Sequence, residues 1–355
     1  MEAKVDENPE ETEEEIHNRI FVGDFENLPS IASKIVRIFT SSTFTDTAVE
    51  RNLLMETVYP KLKEYCREQH GLEFQVVDMR WGVRDESTDD HKTTELCMQE
   101  IDNCQRLSLG PNFVVFLGQK YGYRPLPTRV LDSEFNMIID ILEDDDAKLM
   151  QLWYKLDTNS VPNVFVLQPV SSIYKNFTNK AQKQLMEEDQ SAWWKTMGQL
   201  CTIIRKGAAR LLEAKKFSNE DNHRYNWSVT EQEVVRGILN FKNNPDHTLA
   251  FIREIRNINV KLFTHSAKFI DINFAARKID DEAQKMLSLL RDVKVPEKLI
   301  ASSIIPYSIE WSDNEGINKE DHAAYLKEFC ETFYSRIVEL IERAISKRMK
   351  LCYNK

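Results

Sequence analysis

The chain of 355 residues is too long for one average domain and suits two packed lobes. With 42% hydrophobic and 29% charged residues it can form a real core, and its excess of acid over base (57 against 47, net −10) argues against duplex nucleic acid or anionic lipid as the main partner. No apolar run approaches the length of a bilayer span, and the N-terminus is acidic where a secretory leader would be basic. The six cysteines form no C-x-x-C pair and no zinc-spaced cluster with histidine, so no metal site is predicted. These features predict a cytoplasmic protein, in which the sequons at Asn176 and Asn226 are chance matches.

The first fifteen residues carry seven Glu and one Asp and few apolar side chains. Such a stretch cannot offset its ordering entropy, and residues 1–24 are predicted to be disordered, with Ile20 to Phe25 as a short arm that docks on the body. Ile35 to Thr40 is a β-branched run without strict alternation, as expected of a strand covered on both faces. Ser41-Ser42-Thr43 ends it, Thr45 or Asp46 caps a helix to about Gln69, and His70-Gly71 stops that helix. Phe74 to Asp78 reads as the second strand, Thr93 to Leu107 as a helix and Phe113 to Leu117 as the third strand. A helix from Ser133 to Glu143 and a fourth strand from Asn163 to Leu167 follow.

This alternation predicts a doubly wound α/β sheet of flavodoxin-like order 2-1-3-4, in a domain spanning residues 25–170. Residues 171–355 read as mainly helical, with Ser228 or Thr230 capping one helix. A strand near 249–255 is placed to complete the sheet as its last member. The segment Ile304 to Ile309 is extended, and its Pro306 predicts an edge position.

Open sheets of this kind bind ligands beyond the carboxyl ends of their strands. Ser41, Ser42 and Thr43 fall there, ahead of helix amides that suit a phosphate, although capping alone also explains them. Neither G-x-x-x-x-G-K-[ST] nor G-x-G-x-x-G occurs. After the second strand, Arg80 offers a fork for an anion and Trp81 a face for a base; an Asp78–Arg80 brace would serve the loop equally well. Tyr121 after the third strand is a candidate pocket wall or a loop-packing residue. Glu134, at a helix start, is either a cap or a candidate catalytic carboxylate. Trp193-Trp194 at helical spacing suits core better than a ligand platform.

The ordered segments Ile38 to Phe44 with Asp46 and Arg51, Phe74 to Gly82, Thr93 to Cys104 and Gly118 to Gly122 resemble the N-terminal region of NACHT and WD-repeat domain-containing proteins. The resemblance implies a TIR-like domain of unknown function, placed ahead of a signalling NTPase and a β-propeller. These residues contain no Walker motif or WD repeat of their own. It further implies a signalling and assembly module that acts through protein partners and self-association.

TIR-like relatives include enzymes that cleave the glycosidic bond of NAD with a Glu at the start of the helix after the third strand. By resemblance, Glu134 would take that role, with NAD or another nucleotide as ligand on Ser41 and Ser42. The aromatic-Cys pattern of such enzymes does not precede Glu134.

Overall fold

The computed structural model describes residues 18–19, 21–22, 33–80, 89–242, 246–274, 276–313 and 315–353. Most of the acidic segment predicted over residues 1–24 lies outside the described residues, as do Phe25, Trp81 and Gly82.

Strand β1 (Ile35–Ser41) leads into a long helix, α1, formed by Ala48–Leu53, a π-helical turn at Leu54–Val58 and Tyr59–His70. Gly71, at φ 61°, ends α1 in the left-handed conformation that glycine adopts without a steric penalty. Strand β2 (Glu73–Val77), helix α2 (Thr93–Leu107) and strand β3 (Phe113–Leu117) follow. These three strands pair in parallel, with Phe39 of β1 opposite both Val77 and Phe113.

The chain then leaves the sheet. Strands β4 (Arg129–Leu131), β5 (Tyr154–Asp157) and β6 (Val164–Leu167) form a separate antiparallel sheet in the order β4-β6-β5. Helices α3 (Asp132–Ile139), α4 (Asp144–Trp153), α5 (Lys183–Glu213) and α6 (Asn219–Arg224) pack with it around Phe135, Trp153, Trp193, Leu200 and Ile204. The segment predicted as the fourth strand of the parallel sheet is therefore β6 of this inserted lobe. Its apolar character was read correctly, but it serves a different core.

Helix α7 (Val229–Val234, extended by a π-helical turn at Val235–Leu239) returns the chain to the main sheet. Strand β7 (Thr248–Arg256) pairs in parallel with β3 and supplies the true fourth strand. A small hairpin of β8 (Ile272–Asn273) and β9 (Lys278–Ile279) precedes helix α8, which runs through Asp281–Ser288, Leu289–Lys294 and Val295–Lys298. Strand β10 (Ile304–Glu310) then joins β7 in parallel, and helix α9 (Ala323–Tyr353) closes the described chain.

The main sheet has the order β10-β7-β3-β1-β2, all parallel, in the doubly wound pattern expected of strands joined by helical crossovers. The 249–255 strand is thus fourth of five rather than last, and Pro306 lies on an edge strand.

Alternation along the strands sorts side chains to the two faces. Val36, Ile38, Val114, Phe116, Leu249 and Phe251 meet α1 and α9 through Leu54, Leu62, Phe329, Phe333 and Ile337. On the other face, Phe39, Phe113, Val115 and Ala250 meet α2, α7 and α8 through Cys97, Ile101, Ile238, Leu290 and Val295. No helix among the described residues is long and apolar enough to cross a membrane.

Candidate functional site

The strand order reverses between β1 and β3, and the crevice at their carboxyl ends is where a doubly wound sheet receives a ligand. A cavity of about 620 Å³ opens there. Its floor comes from the main sheet and its helices, including Ser42, Thr43, Arg80, Cys97, Gly122 and Glu233. Its far wall comes from the inserted lobe, through Leu126, Leu167, Trp193, Trp194 and Met197. The ligand-sized space therefore lies between two separately packed cores.

The floor is held by a dense polar network. Ser41 Oγ donates to Glu233 Oε2 at 2.6 Å, a contact between residues 192 positions apart in sequence. Ser42 Oγ accepts from Thr47 Oγ1 at 2.9 Å and from Arg51, and donates to the Thr43 carbonyl at 2.8 Å. Asp78 holds Arg51 and also Arg80, whose Nη2 lies 2.8 Å away. Burial pushes the Asp78 carboxyl up, but the Arg80 hydrogen bonds and the Arg51 charge more than offset it and leave the group below the usual carboxylate range. The two guanidiniums share the Asp78 carboxylate beneath the Ser42 loop.

The expected cap of α1 takes another form. Thr47 is the N-cap residue, without a side-chain capping bond, and Asp46 is turned inward, its Oδ2 3.8 Å from Arg253 Nη2. Arg253 Nη1 donates to Glu50 Oε1 at 2.6 Å and to the Asp46 carbonyl at 2.7 Å. The Asp46 carboxylate packs directly on Gly118, where a β-carbon would overlap it.

Of the residues read from sequence, the fold brings Ser41, Ser42, Thr43 and Arg80 together. Ser42, Thr43 and Arg80 line the cavity, while Ser41 reaches it through Glu233. Arg80 does so while bracing Asp78. Tyr121 is placed differently. It is 1% exposed, donates its hydroxyl to Glu231 and is absent from the cavity lining, so it is a core residue rather than a wall. Its neighbours Gly122 and Tyr123 line the cavity instead. Trp81 lies outside the described residues.

Glu134 does not face the crevice. It belongs to α3 of the inserted lobe, where Arg224 Nη2 at 3.0 Å and the Tyr225 hydroxyl at 2.6 Å hold its carboxylate. The cause is topological. The helix that crosses from β3 to the next strand of the parallel sheet is α7, and the inserted lobe postpones it by more than a hundred positions.

The carboxylate that α7 brings to the crevice is Glu233. Ser228 caps that helix by accepting from the Glu231 amide at 3.1 Å. Glu231 turns to Tyr121, His223 and Lys294, and Glu233 turns to Ser41 and the cavity. Burial pushes the Glu233 carboxyl up to about 7, against the opposing effect of the hydrogen bonds from Ser41 and Cys97. The signal that could have found it was a parallel-sheet crossover helix opening with two carboxylates, legible only once β7 is known to neighbour β3.

The rim is aromatic. Phe44, Tyr123 and Trp194 are 60%, 54% and 57% exposed, while Trp193 is buried against Trp153 and His91. No group of His, Cys, Asp and Glu among the described residues is arranged to hold a metal ion.

Comparison with known proteins gives these residues a context. The sequence model of a family described as a domain of unknown function, DUF4062, matches residues 37–137. The chain is 34% identical over 341 residues to the human NACHT and WD repeat domain-containing protein 2, covering 92% of this chain and 19% of that protein. It is 30% identical over 291 residues to the mouse NACHT domain- and WD repeat-containing protein 1, covering 81% of this chain and 17% of that protein. A shorter stretch of 90 residues, 25% of this chain and 3% of the relative, is 39% identical to the rat telomerase protein component 1. The chain thus spans about a fifth of the length of its NACHT and WD repeat relatives. No solved structure matches it.

Proposed function

We propose that this chain, which is homologous over 92% of its length to a part of NACHT and WD repeat domain-containing proteins, is the recognition and assembly module of a cytoplasmic signalling scaffold. The strand-end cavity is where a small ligand is received, and TIR-like contacts between modules, or with protein partners, pass the event on. The observation that carries this reading is the cavity itself. It is large enough for a nucleotide-sized ligand, it is walled by two cores, and an occupant touching both would couple them. The buried, unpaired thiols at Cys66, Cys97, Cys104 and Cys201 accord with a reducing compartment.

The test is thermal unfolding and light scattering of the purified chain with and without NAD, ADP-ribose and ATP. The expected result is a rise in Tm with at least one of them and a shift in assembly mass with ligand or protein concentration. A chain that stays monomeric at every concentration, with an unmoved Tm, removes the reading.

A second reading, hydrolysis of the glycosidic bond of NAD or a nucleoside, has a specific observation in its favour. Glu233, rather than Glu134, is the carboxyl inside the cavity, and Ser41 fixes one of its oxygens. As the C–N bond broke and its electron pair left with the base, an ionised Glu233 would face the cationic ribosyl centre before water added. NAD consumption at high protein concentration tests this. Glu233→Gln is expected to abolish turnover and Glu134→Gln to leave it intact, and absence of turnover in the unmodified chain returns the function to binding alone.

A further inference from the structure

Glu233 is, among the described residues, an acid without a bonded base. Among the described ion pairs and hydrogen bonds it has a hydroxyl partner in Ser41 and a thiol neighbour in Cys97, and no basic side chain bonds it. The cations nearby among the described residues are engaged elsewhere. Arg51 and Arg80 are both held by Asp78. Lys120 Nζ donates to the Ala267 carbonyl at 2.5 Å and to Thr45 at 3.2 Å. His91 bonds the Gln168 carbonyl at 3.0 Å, and burial holds its imidazole below the usual histidine range. Among the described residues, the side of the carboxyl left open is the one that faces the cavity. The rings around that side, Phe44, Tyr123 and Trp194, are each more than half exposed.

A carboxylate in an apolar surround is stabilised when a cation reaches it, and aromatic faces attract the same cation through their quadrupoles. A neutral ligand gains neither contribution. We infer that the cavity takes an organic cation, a guanidinium or an alkylated ammonium group, with its charge on Glu233 and its faces against the rim aromatics. The inference rests on the reading of the strand-end cavity as a recognition site and names the ligand chemistry of that site. The cation binds the ionised acid, so binding releases the Glu233 proton whenever the pH lies below its titration range. Of the charged groups around Glu233, Arg51 favours its ionised form and Asp78 opposes it, while Arg80 and Lys120, which line the same cavity, are held by Asp78 and by the Ala267 carbonyl.

The experiment titrates the full chain with methylguanidinium and tetramethylammonium as free cations, with methylurea and tert-butanol as their neutral counterparts, and with a capped arginine peptide. Tryptophan fluorescence and calorimetry are the readouts. The expected result is a preference of tenfold or more for cation over neutral counterpart near pH 8. That preference falls about tenfold by about pH 6, as a carboxyl titrating near 7 returns to its protonated form. Glu233→Gln removes both the preference and its pH dependence. Trp194→Ala, a surface change, weakens binding several-fold and leaves the pH dependence in place. Tighter binding of the peptide than of the free cations assigns the charge to a protein side chain, and the reverse assigns it to a small molecule.

Equal binding of methylurea and methylguanidinium, or a pH dependence that survives in Glu233→Gln, overturns the inference while leaving the cavity a recognition site. Failure of every probe at saturating concentration also overturns it, and the nucleotide experiments then decide the broader reading alone.

Discussion

The Glu233 carboxyl lies against Ser41 and Cys97 in an apolar surround that pushes it up to about 7, so ionising it in place costs free energy that ionising it in the unfolded chain does not. A carboxyl raised in the folded state contributes its full stability below the unfolded value of about 4.5, and that contribution is lost as the pH rises through 7. Glu233→Gln is therefore expected to be more stable than the parent near pH 8, by up to about 3 kcal/mol, with the gap closing near pH 4. Urea unfolding at the two pH values measures it, and an equal gap at both would show that the carboxyl does not titrate in this range. Asp46, pushed by burial to about 6, acts in the same direction and remains in the variant.

Gly118 makes a different prediction. Its alanine variant would drive a β-carbon into the Asp46 carboxylate and the Arg253 guanidinium, both buried, so neither can move into solvent. A loss of about 3 kcal/mol is expected in the same unfolding experiment.

At the scale of elements, helix α7 decides the site. Its N-cap, Ser228, sets where the helix begins, and one turn later Glu231 and Glu233 diverge, the first toward Tyr121 and Lys294, the second toward the cavity. Ser228→Ala removes the acceptor of the Glu231 amide and is expected to cost about 1 kcal/mol. It is also expected to weaken whatever the cavity binds, because the start of α7 carries Val229, Thr230 and Glu233 into the lining. Crystallographic displacement of Glu233 in that variant would show the link directly.

The same element exposes the limit of reading in chain order. Strands β1 to β3 and helices α1 and α2 follow from hydrophobic runs, turn residues and stop signals within a few positions of each element. The start of α7 was legible to within two positions, at Ser228 or Thr230, and Ser228 is the cap. Placing α7 beside β3 was not, because nothing local distinguishes a helix of the next crossover from a helix of a second lobe.

For the whole molecule, the main consequence of the fold is that a packed lobe interrupts the sheet between its third and fourth strands. One core, around Phe116, Phe251 and Phe333, lies on one face of the main sheet, the lobe builds a second around Phe135, Trp153 and Trp193, and the cavity lies where the lobe meets the opposite sheet face, at Cys97, Val229 and Glu233. Phe333→Ala should report on the first core alone. It removes a ring that stacks on Phe116 and Phe251, at an expected cost of about 4 kcal/mol. Tryptophan fluorescence, arising in part from Trp153, Trp193 and Trp194 of the lobe, would then show whether the second core outlasts the first on heating.

The sequence by itself determined the α/β class, the parallel arrangement, the Ser41-Ser42-Thr43 turn at the carboxyl end of β1 and the edge position of Pro306. Each of these depends on which faces of one element are apolar and how that element ends, and periodicity records both. The tertiary structure alone decided that β6 belongs to another sheet, that Tyr121 is core, that Arg224 and Tyr225 occupy Glu134, and that the carboxyl in the crevice is Glu233. Those outcomes depend on which element lies opposite, across contacts such as the one joining Ser41 to a residue 192 positions away. A side chain's pattern along its own strand or helix carries no record of its distant partner.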